Sequence, residues 1–426
     1  MKRTWMKRLI VVSCCITTSF VFQGCEKAKN NSVTEIEIVQ YKPEAAAYFE
    51  ELEDEFNALH DDIQLTINSP NDANAILRTR FIREDYPDII GVGGDINYSY
   101  YMDAEIFADI SDYEGLKKIK QAYLDIDQAL ELVPMDGVYA VPYAANAAGI
   151  LYNKDLFQEH GWQIPRNWEE LMALCEEIKG EGILPFYFGF KDTWTCLAPW
   201  NSMAVDLAPA DVAQQVNRSK TTFSKEYREL SEKYLKLIEY GPEDPFAYGY
   251  NDACTAFAKG ESAMYPIGSY AVPQILSVNP QLNIDSFAND LAEKNALNSG
   301  IDLQFCVAET CENKEAAYEV LDFLYSDENM QAYADLQNAI PCKEGDFKLS
   351  PMLNGMTEYI KAGKMFDFQD HYYPSEMAVD AQIQTFLIRK DVDAFLKRFD
   401  TDWLRYNRDI IRMVEEYENS RNKSTK

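Results

Sequence analysis

Histidine is scarce in this chain: His60, His160 and His371 are the only 3 in 426 residues. A Ser-His-Asp triad needs an imidazole base beside a presented serine, and Gly260-Glu261-Ser262-Ala263-Met264 is not a G-x-S-x-G elbow. Catalytic zinc sites draw on histidine too. No histidine lies close in sequence to a cysteine pair, so no metal centre is expected. Basic charge is also low, with 40 Lys and Arg against 70 Asp and Glu, a formal charge of -30. Such a surface repels phosphate backbones, which argues against a nucleic-acid partner. Past residue 25 no apolar stretch is long enough to span a bilayer. There is no Cys-x-x-Cys pair, no internal repeat and no low-complexity linker. One enzyme class escapes these exclusions, because glycoside cleavage needs only two carboxylates. Among 70 acidic residues such a pair cannot be dismissed by counting, so a glycan-cleaving enzyme stands as an alternative.

The N-terminus carries an address. Lys2, Arg3, Lys7 and Arg8 precede an apolar run from Leu9 to Phe22, short for a transmembrane helix and suited to a secretory signal. The run closes on Phe22-Gln23-Gly24-Cys25 and turns polar at Glu26. Beyond Cys25 stand Cys175, Cys196, Cys254, Cys306, Cys311 and Cys342. An exported chain could pair them, yet they are scattered through a chain large enough to build its own core, and buried thiols fit equally well.

The remaining length suggests two domains, and 47% hydrophobic with 26% charged residues is a globular composition. Glu35–Val39 alternates like a strand; Pro43 opens a helix carrying Phe49, Leu52, Phe56 and Leu59; Ile63, Leu65 and Ile67 mark a second strand. Asp72 caps a helix with Leu77 and Phe81, and Pro87-Asp88-Ile89-Ile90 begins a third strand. This βαβαβ order predicts a parallel, doubly wound α/β sheet. Ligands of such sheets bind beyond the carboxyl ends of the strands, here Tyr41-Lys42, Asn68-Ser69 and Gly91-Val92-Gly93-Gly94-Asp95. The glycines allow close approach and Asp95 offers an acceptor; no Lys-Ser or Lys-Thr follows to make a phosphate loop. Further on, Val138–Tyr152 and Leu184–Phe190 read as strands, Asn167 caps a helix from Trp168, and the stretch from Val392 to Glu418 reads as helix.

Aromatic residues make up 13% of the chain, and several stand in polar surroundings: Asn97-Tyr98-Ser99-Tyr100-Tyr101, Trp194, Trp200, Tyr270 and His371-Tyr372-Tyr373. Sugars present apolar C–H faces with hydroxyl rims, which suit ring platforms beside polar groups. For the phenylalanines, burial in the core is the simpler reading.

Four stretches together carry a family likeness. They are Gly149-Ile150-Leu151-Tyr152-Asn153-Lys154-Asp155-Leu156-Phe157 with Gly161, Pro165 and Trp168-Glu169-Glu170-Leu171; Phe257-Ala258-Lys259-Gly260-Glu261-Ser262-Ala263-Met264 with Gly268-Ser269-Tyr270; Lys314 through Phe323-Leu324 to Pro341; and Tyr86-Pro87-Asp88-Ile89. In this order the chain resembles the extracellular solute-binding proteins of ATP-binding-cassette sugar importers, the maltose-binding type. Phe22–Cys25 resembles a lipobox, departing from it at Gln23 where a smaller residue is usual. The resemblance implies a two-lobed, periplasmic-binding-protein-like fold, each lobe a doubly wound sheet flanked by helices, with the ligand cleft between. The expected divisions are a signal peptide 1–24, a lipidated tether 25–32, lobe 1 over 33–142 and 266–326, lobe 2 over 143–265 and 327–420, and a tail 421–426. The crossings are expected near Val141–Tyr143, Met264–Ile267 and Tyr325–Glu328. The residues placed in the cleft are Tyr41, Gly94, Asp95, Asn146, Lys191, Asp192, Trp194, Trp200, Tyr270, Tyr372 and Tyr373. The implied function is to bind a carbohydrate, as an oligosaccharide, by hinge closure and deliver it to a membrane permease. The implied protein is a monomer outside the cytoplasm, held to the membrane by lipid on Cys25, with no catalytic step and no cofactor. A lipid-anchored sensor feeding a membrane receptor uses the same closure and remains the other alternative.

Overall fold

The computed structural model describes residues 33–289 and 296–424. The expected signal peptide, the lipidation site Cys25 and the whole of the tether lie outside the described residues. The first elements follow the hydrophobic pattern. Strand β1 (Thr34–Gln40) leads into helix α1 (Ala46–Leu59), which buries Phe49, Leu52 and Phe56. Leu59, expected on the same face, is exposed at the helix end. Strand β2 (Ile63–Asn68) buries alternate residues, helix α2 (Ala73–Ile82) buries Leu77, and strand β3 (Ile89–Val92) is buried throughout. Asp72 sits at the N-cap of α2 but its side chain makes no capping bond. Strand β1 pairs in parallel with both β2 and β3, as the βαβαβ pattern requires.

The other strands are β4 (Val141–Ala148), β5 (Ile150–Asn153), β6 (Leu184–Phe186), β7 (Ser262–Tyr265), β8 (Ile284–Phe287), β9 (Leu297–Val307), β10 (Ile340–Pro341) and β11 (Met365–Phe366). Among the described residues they form two sheets. The larger runs β10-β4-β9-β3-β1-β2 with β11 beside β9, and the smaller runs β6-β7-β5-β8. Each is covered by helices, giving two α/β lobes.

The crossovers differ from those expected. The apolar stretch Val138–Tyr152 is two strands rather than one, divided at Gly149: β4 belongs to the larger sheet and β5 to the smaller. A Cβ on Gly149 would run into the carbonyl oxygen of Phe287, so only glycine lets the chain pass this point. The second passage follows Phe287, where the chain leaves β8 for β9. The crossing expected near Met264–Ile267 is absent: β7 (Ser262–Tyr265) pairs with β5 and β6 inside the smaller sheet, and the next strand, β8, is still in that sheet. The helix Asp327–Gln337, assigned to lobe 2, buries Met330 and Tyr333 against the larger sheet with Ile36 and Phe305. The third passage therefore comes later, between β11 and the helix Val379–Arg389, because β11 still pairs with β9.

The C-terminal helices complete the second lobe. The stretch expected as one helix is two, Val392–Tyr406 and Arg408–Ser424, separated at Asn407. Phe386, Phe395, Phe399 and Trp403 join Trp200, Tyr227 and Tyr234 in one buried cluster. Burying each such side chain contributes roughly 1.5–3 kcal/mol relative to leaving it exposed. The six cysteines of the described residues are all free and buried. Among the described residues no helix is long and apolar enough to cross a membrane.

Candidate functional site

The carboxyl ends of β1 and β3 lie beside the middle of β9 at the cleft between the lobes, and there a cavity of about 200 Å³ opens. The first lobe supplies its polar wall. Asp302, in β9, is the centre of that wall. Its Oδ1 accepts from Lys42 Nζ at 3.1 Å and from Asn146 Nδ2 at 2.8 Å, and its carbonyl accepts from the Tyr41 hydroxyl. Lys42 is held a second time by Glu44, 2.8 Å away. Asp95 follows Gly93 and Gly94 beyond β3 and caps the helix Ile96–Asp103, its Oδ1 accepting from the Asn97 backbone at 2.8 Å.

The segment after β11 closes one side with Phe368, Asp370 and His371. It sits against β9 because residue 300 is glycine: a Cβ there would overlap Phe368, Asp367 and His371. Asp370 Oδ1 accepts from Asn201 Nδ2 at 2.8 Å, tying this segment to the second lobe. Behind the cavity, His371 Nδ1 lies 2.8 Å from a buried oxygen of Asp367. Burial opposes charge on the imidazole, but Asp367, Asp370 and Asp95 together outweigh it and push His371 up to about 9. Burial likewise raises the carboxyls of Asp367 and Asp370 above their ordinary range.

The second lobe supplies the aromatic wall. Trp194 is 42% exposed at the rim, with ring centroids 5.0 Å from Tyr250 and 6.2 Å from Tyr270. Asp192 fixes this arrangement from outside the cavity: its Oδ2 accepts from the Tyr250 backbone at 2.7 Å, and its carbonyl receives the Thr195 amide.

Of the residues expected here, Tyr41, Gly94, Asp95, Asn146, Trp194 and Tyr270 line the one cavity. The other five do not. Lys191 and Asp192 are exposed on the loop that carries Trp194. Trp200 is wholly buried in the second lobe's core, its indole donating to the Tyr373 hydroxyl at 3.1 Å, and Tyr373 lies 2.8 Å from the Tyr227 hydroxyl. Trp200 stands among polar neighbours in sequence, as a platform would, but Leu197–Leu207 is a helix that turns it inward. Tyr372 lines a different cavity of about 460 Å³, walled by helices of both lobes and lying across Met365–Asp367 from the first. Sequence reasoning missed Asn201, Asp302, Phe368 and Asp370. For Asp302 a signal existed: it is the one charged residue in the 11-residue strand Leu297–Val307. Among the described residues no cluster of His, Cys, Asp and Glu could hold a metal ion.

Comparison with known proteins fits this geometry. The sequence profile of the family described as bacterial extracellular solute-binding protein matches residues 41–331. The multiple sugar-binding protein of Streptococcus mutans is 27% identical over 391 residues, which cover 87% of this chain and 91% of that protein. The melibiose/raffinose/stachyose-binding protein MelE of Bacillus subtilis is 25% identical over 199 residues, 45% of this chain and 43% of that one. Among solved structures, apo RafE from Streptococcus pneumoniae superposes with a TM-score of 0.77 at 25% identity, covering 89% of this chain and 98% of RafE. RafE in complex with raffinose superposes at 0.72, also at 25% identity, covering 87% of this chain and 98% of that one.

Proposed function

This chain belongs to the bacterial extracellular solute-binding protein family, and we propose that it binds a carbohydrate, as an oligosaccharide, between its two lobes and delivers it to the permease of an ATP-binding-cassette importer. The observation that carries this reading is the division of labour across the cavity. One lobe contributes acceptors on Asp95 and Asp302, the other contributes the rings of Trp194 and Tyr270. A sugar offers hydroxyls to the first and a C–H face to the second. Names of relatives that bind multiple sugars, or melibiose, raffinose and stachyose, support the ligand class.

The mechanism follows from the two walls. A ligand resting on one lobe leaves half of its contacts unmade, and rotation of the other lobe completes them, so the ligand stabilises the closed state by contacts found only there. A micromolar dissociation constant needs about 8 kcal/mol. Stacking on two rings at about 0.5–1.5 kcal/mol each and several hydrogen bonds to charged groups at about 1.5–3 kcal/mol each reach that figure. We assign no catalytic step, in keeping with relatives named as binding proteins. The closed form is the species a permease would recognise, and lipid on Cys25 would keep it at the membrane.

The test is a thermal-shift and calorimetric screen of the purified protein against mono-, di- and oligosaccharides, with polyols, amino acids and peptides as controls. One glycan class should raise the stability saturably, by about 2.7 kcal/mol at 100 times its dissociation constant. Trp194→Ala should weaken that ligand about tenfold, the loss of one stacking contact. A response to amino acids or peptides with none to sugars would contradict the ligand class, and release of cleaved glycan would contradict the absence of catalysis.

A further inference from the structure

The cavity is rich in acceptors and poor in uncommitted cations. Three carboxylates line it, and each has one oxygen engaged by the protein: Asp95 by Asn97, Asp302 by Lys42 and Asn146, Asp370 by Asn201. Among the described residues no side chain donates to the second oxygen of any of the three. Each nearby cation is already ion-paired. Lys42 is shared between Asp302 and Glu44, and the imidazole of His371 is paired with Asp367. Lys191, the remaining basic residue once placed here, stays outside.

We infer that this cavity selects a neutral, hydroxyl-rich terminal sugar unit and rejects one that carries a carboxylate or phosphate, with the free oxygens of Asp95, Asp302 and Asp370 as the discriminating groups. The inference rests on the carbohydrate reading above and narrows it to a charge class. Free carboxylate oxygens are satisfied by donors, and each sugar hydroxyl is one, so a neutral ring can meet all three. A uronic acid replaces a donor with a third-party anion that meets like charge and finds no unpaired cation, in a cleft whose closure removes the water that would screen it. The size agrees. At about 200 Å³ the cavity is smaller than the roughly 300–1,000 Å³ of pockets that enclose drug-sized ligands, which suits one ring rather than a whole oligosaccharide. The half-exposed Trp194 at the rim then takes the face of the next unit.

The test compares, by calorimetry, the neutral oligosaccharide found in the screen with its derivative oxidised at the terminal C6 hydroxymethyl to the carboxylate. The carboxylate form should bind at least tenfold more weakly, and the gap should narrow as salt rises. Asp302→Asn and Asp370→Asn should each narrow the gap in low salt, with circular dichroism used to check that the variants are folded. Equal or tighter binding of the carboxylate form overturns the inference, as does a gap that neither salt nor either folded variant changes. If no neutral sugar binds at all, it is the carbohydrate reading that fails. If the neutral sugar binds and the acid binds as well, only the charge selection fails.

Discussion

At Asp302 three parts of the chain meet: Tyr41 and Lys42 from the end of β1, Asn146 from β4, and the residue's own strand β9. A carboxylate there orients a lysine and an amide that would otherwise be mobile, and leaves one oxygen for a ligand. His371 plays a comparable part on the opposite side, and its charge has a consequence for stability. The ordinary value of 6.5 is raised to about 9 in the folded protein, so folding favours the protonated ring. The sign follows: this stabilisation is fully present below about pH 6.5 and is lost as pH rises through about 9, on the order of 3 kcal/mol at most. Denaturant unfolding at pH 6 and pH 9.5 should therefore show a larger drop for the natural protein than for His371→Gln. Equal drops would mean that Asp367 does not hold the imidazolium. Neither residue was picked for the cleft from sequence, and the reasons differ. Asp302 sits in a strand whose other residues are uncharged and mark it as core, while His371 stands beside Tyr372 and Tyr373, whose rings are the stronger platform signal in sequence. Both tyrosines point to other surroundings, Tyr373 into the core and Tyr372 to the second cavity.

The strands at the crossing set what the lobes can do. Beside Gly149, Ala148 at the end of β4 forms an isolated bridge with Gly268 in the segment after β7, and the backbone of Phe287 passes so close that a side chain on Gly149 has no room. Gly149→Ala should therefore destabilise the protein by about 1–3 kcal/mol in denaturant unfolding, as overpacking does. Gly180→Ala, in open space at the end of the helix Trp168–Gly180, should not destabilise it. Equal stability of the two variants would contradict the crossing geometry. Local patterns made much of this architecture legible: the βαβαβ start, the Asn167 cap that accepts from Glu170 at 2.9 Å, and the C-terminal helices. The crossings were not, because β4 runs into β5 with only Gly149 between them, and periodicity carries no mark of which sheet a strand joins. Only the steric demand at Gly149, a long-range contact with Phe287, divides them.

Taken together, the two lobes bury separate cores and meet around a cavity whose walls are chemically unlike. The surplus of acid over base across the chain, a formal charge of -30, adds to the local preference for uncharged ligands by repelling anions before they reach the cleft. The likeness of the chain to sugar-binding relatives rests on most of its length, and the cavity lies where an open α/β sheet puts its ligands, beyond the carboxyl ends of its strands. The most direct test of the account is small-angle X-ray scattering of the purified protein with and without a saturating neutral oligosaccharide from the screen. The expected result is a smaller radius of gyration with the sugar, and about half of that contraction in Trp194→Ala at a sugar concentration of about ten times the natural protein's dissociation constant. An unchanged radius on saturation by a sugar that binds would contradict closure of the lobes around the ligand.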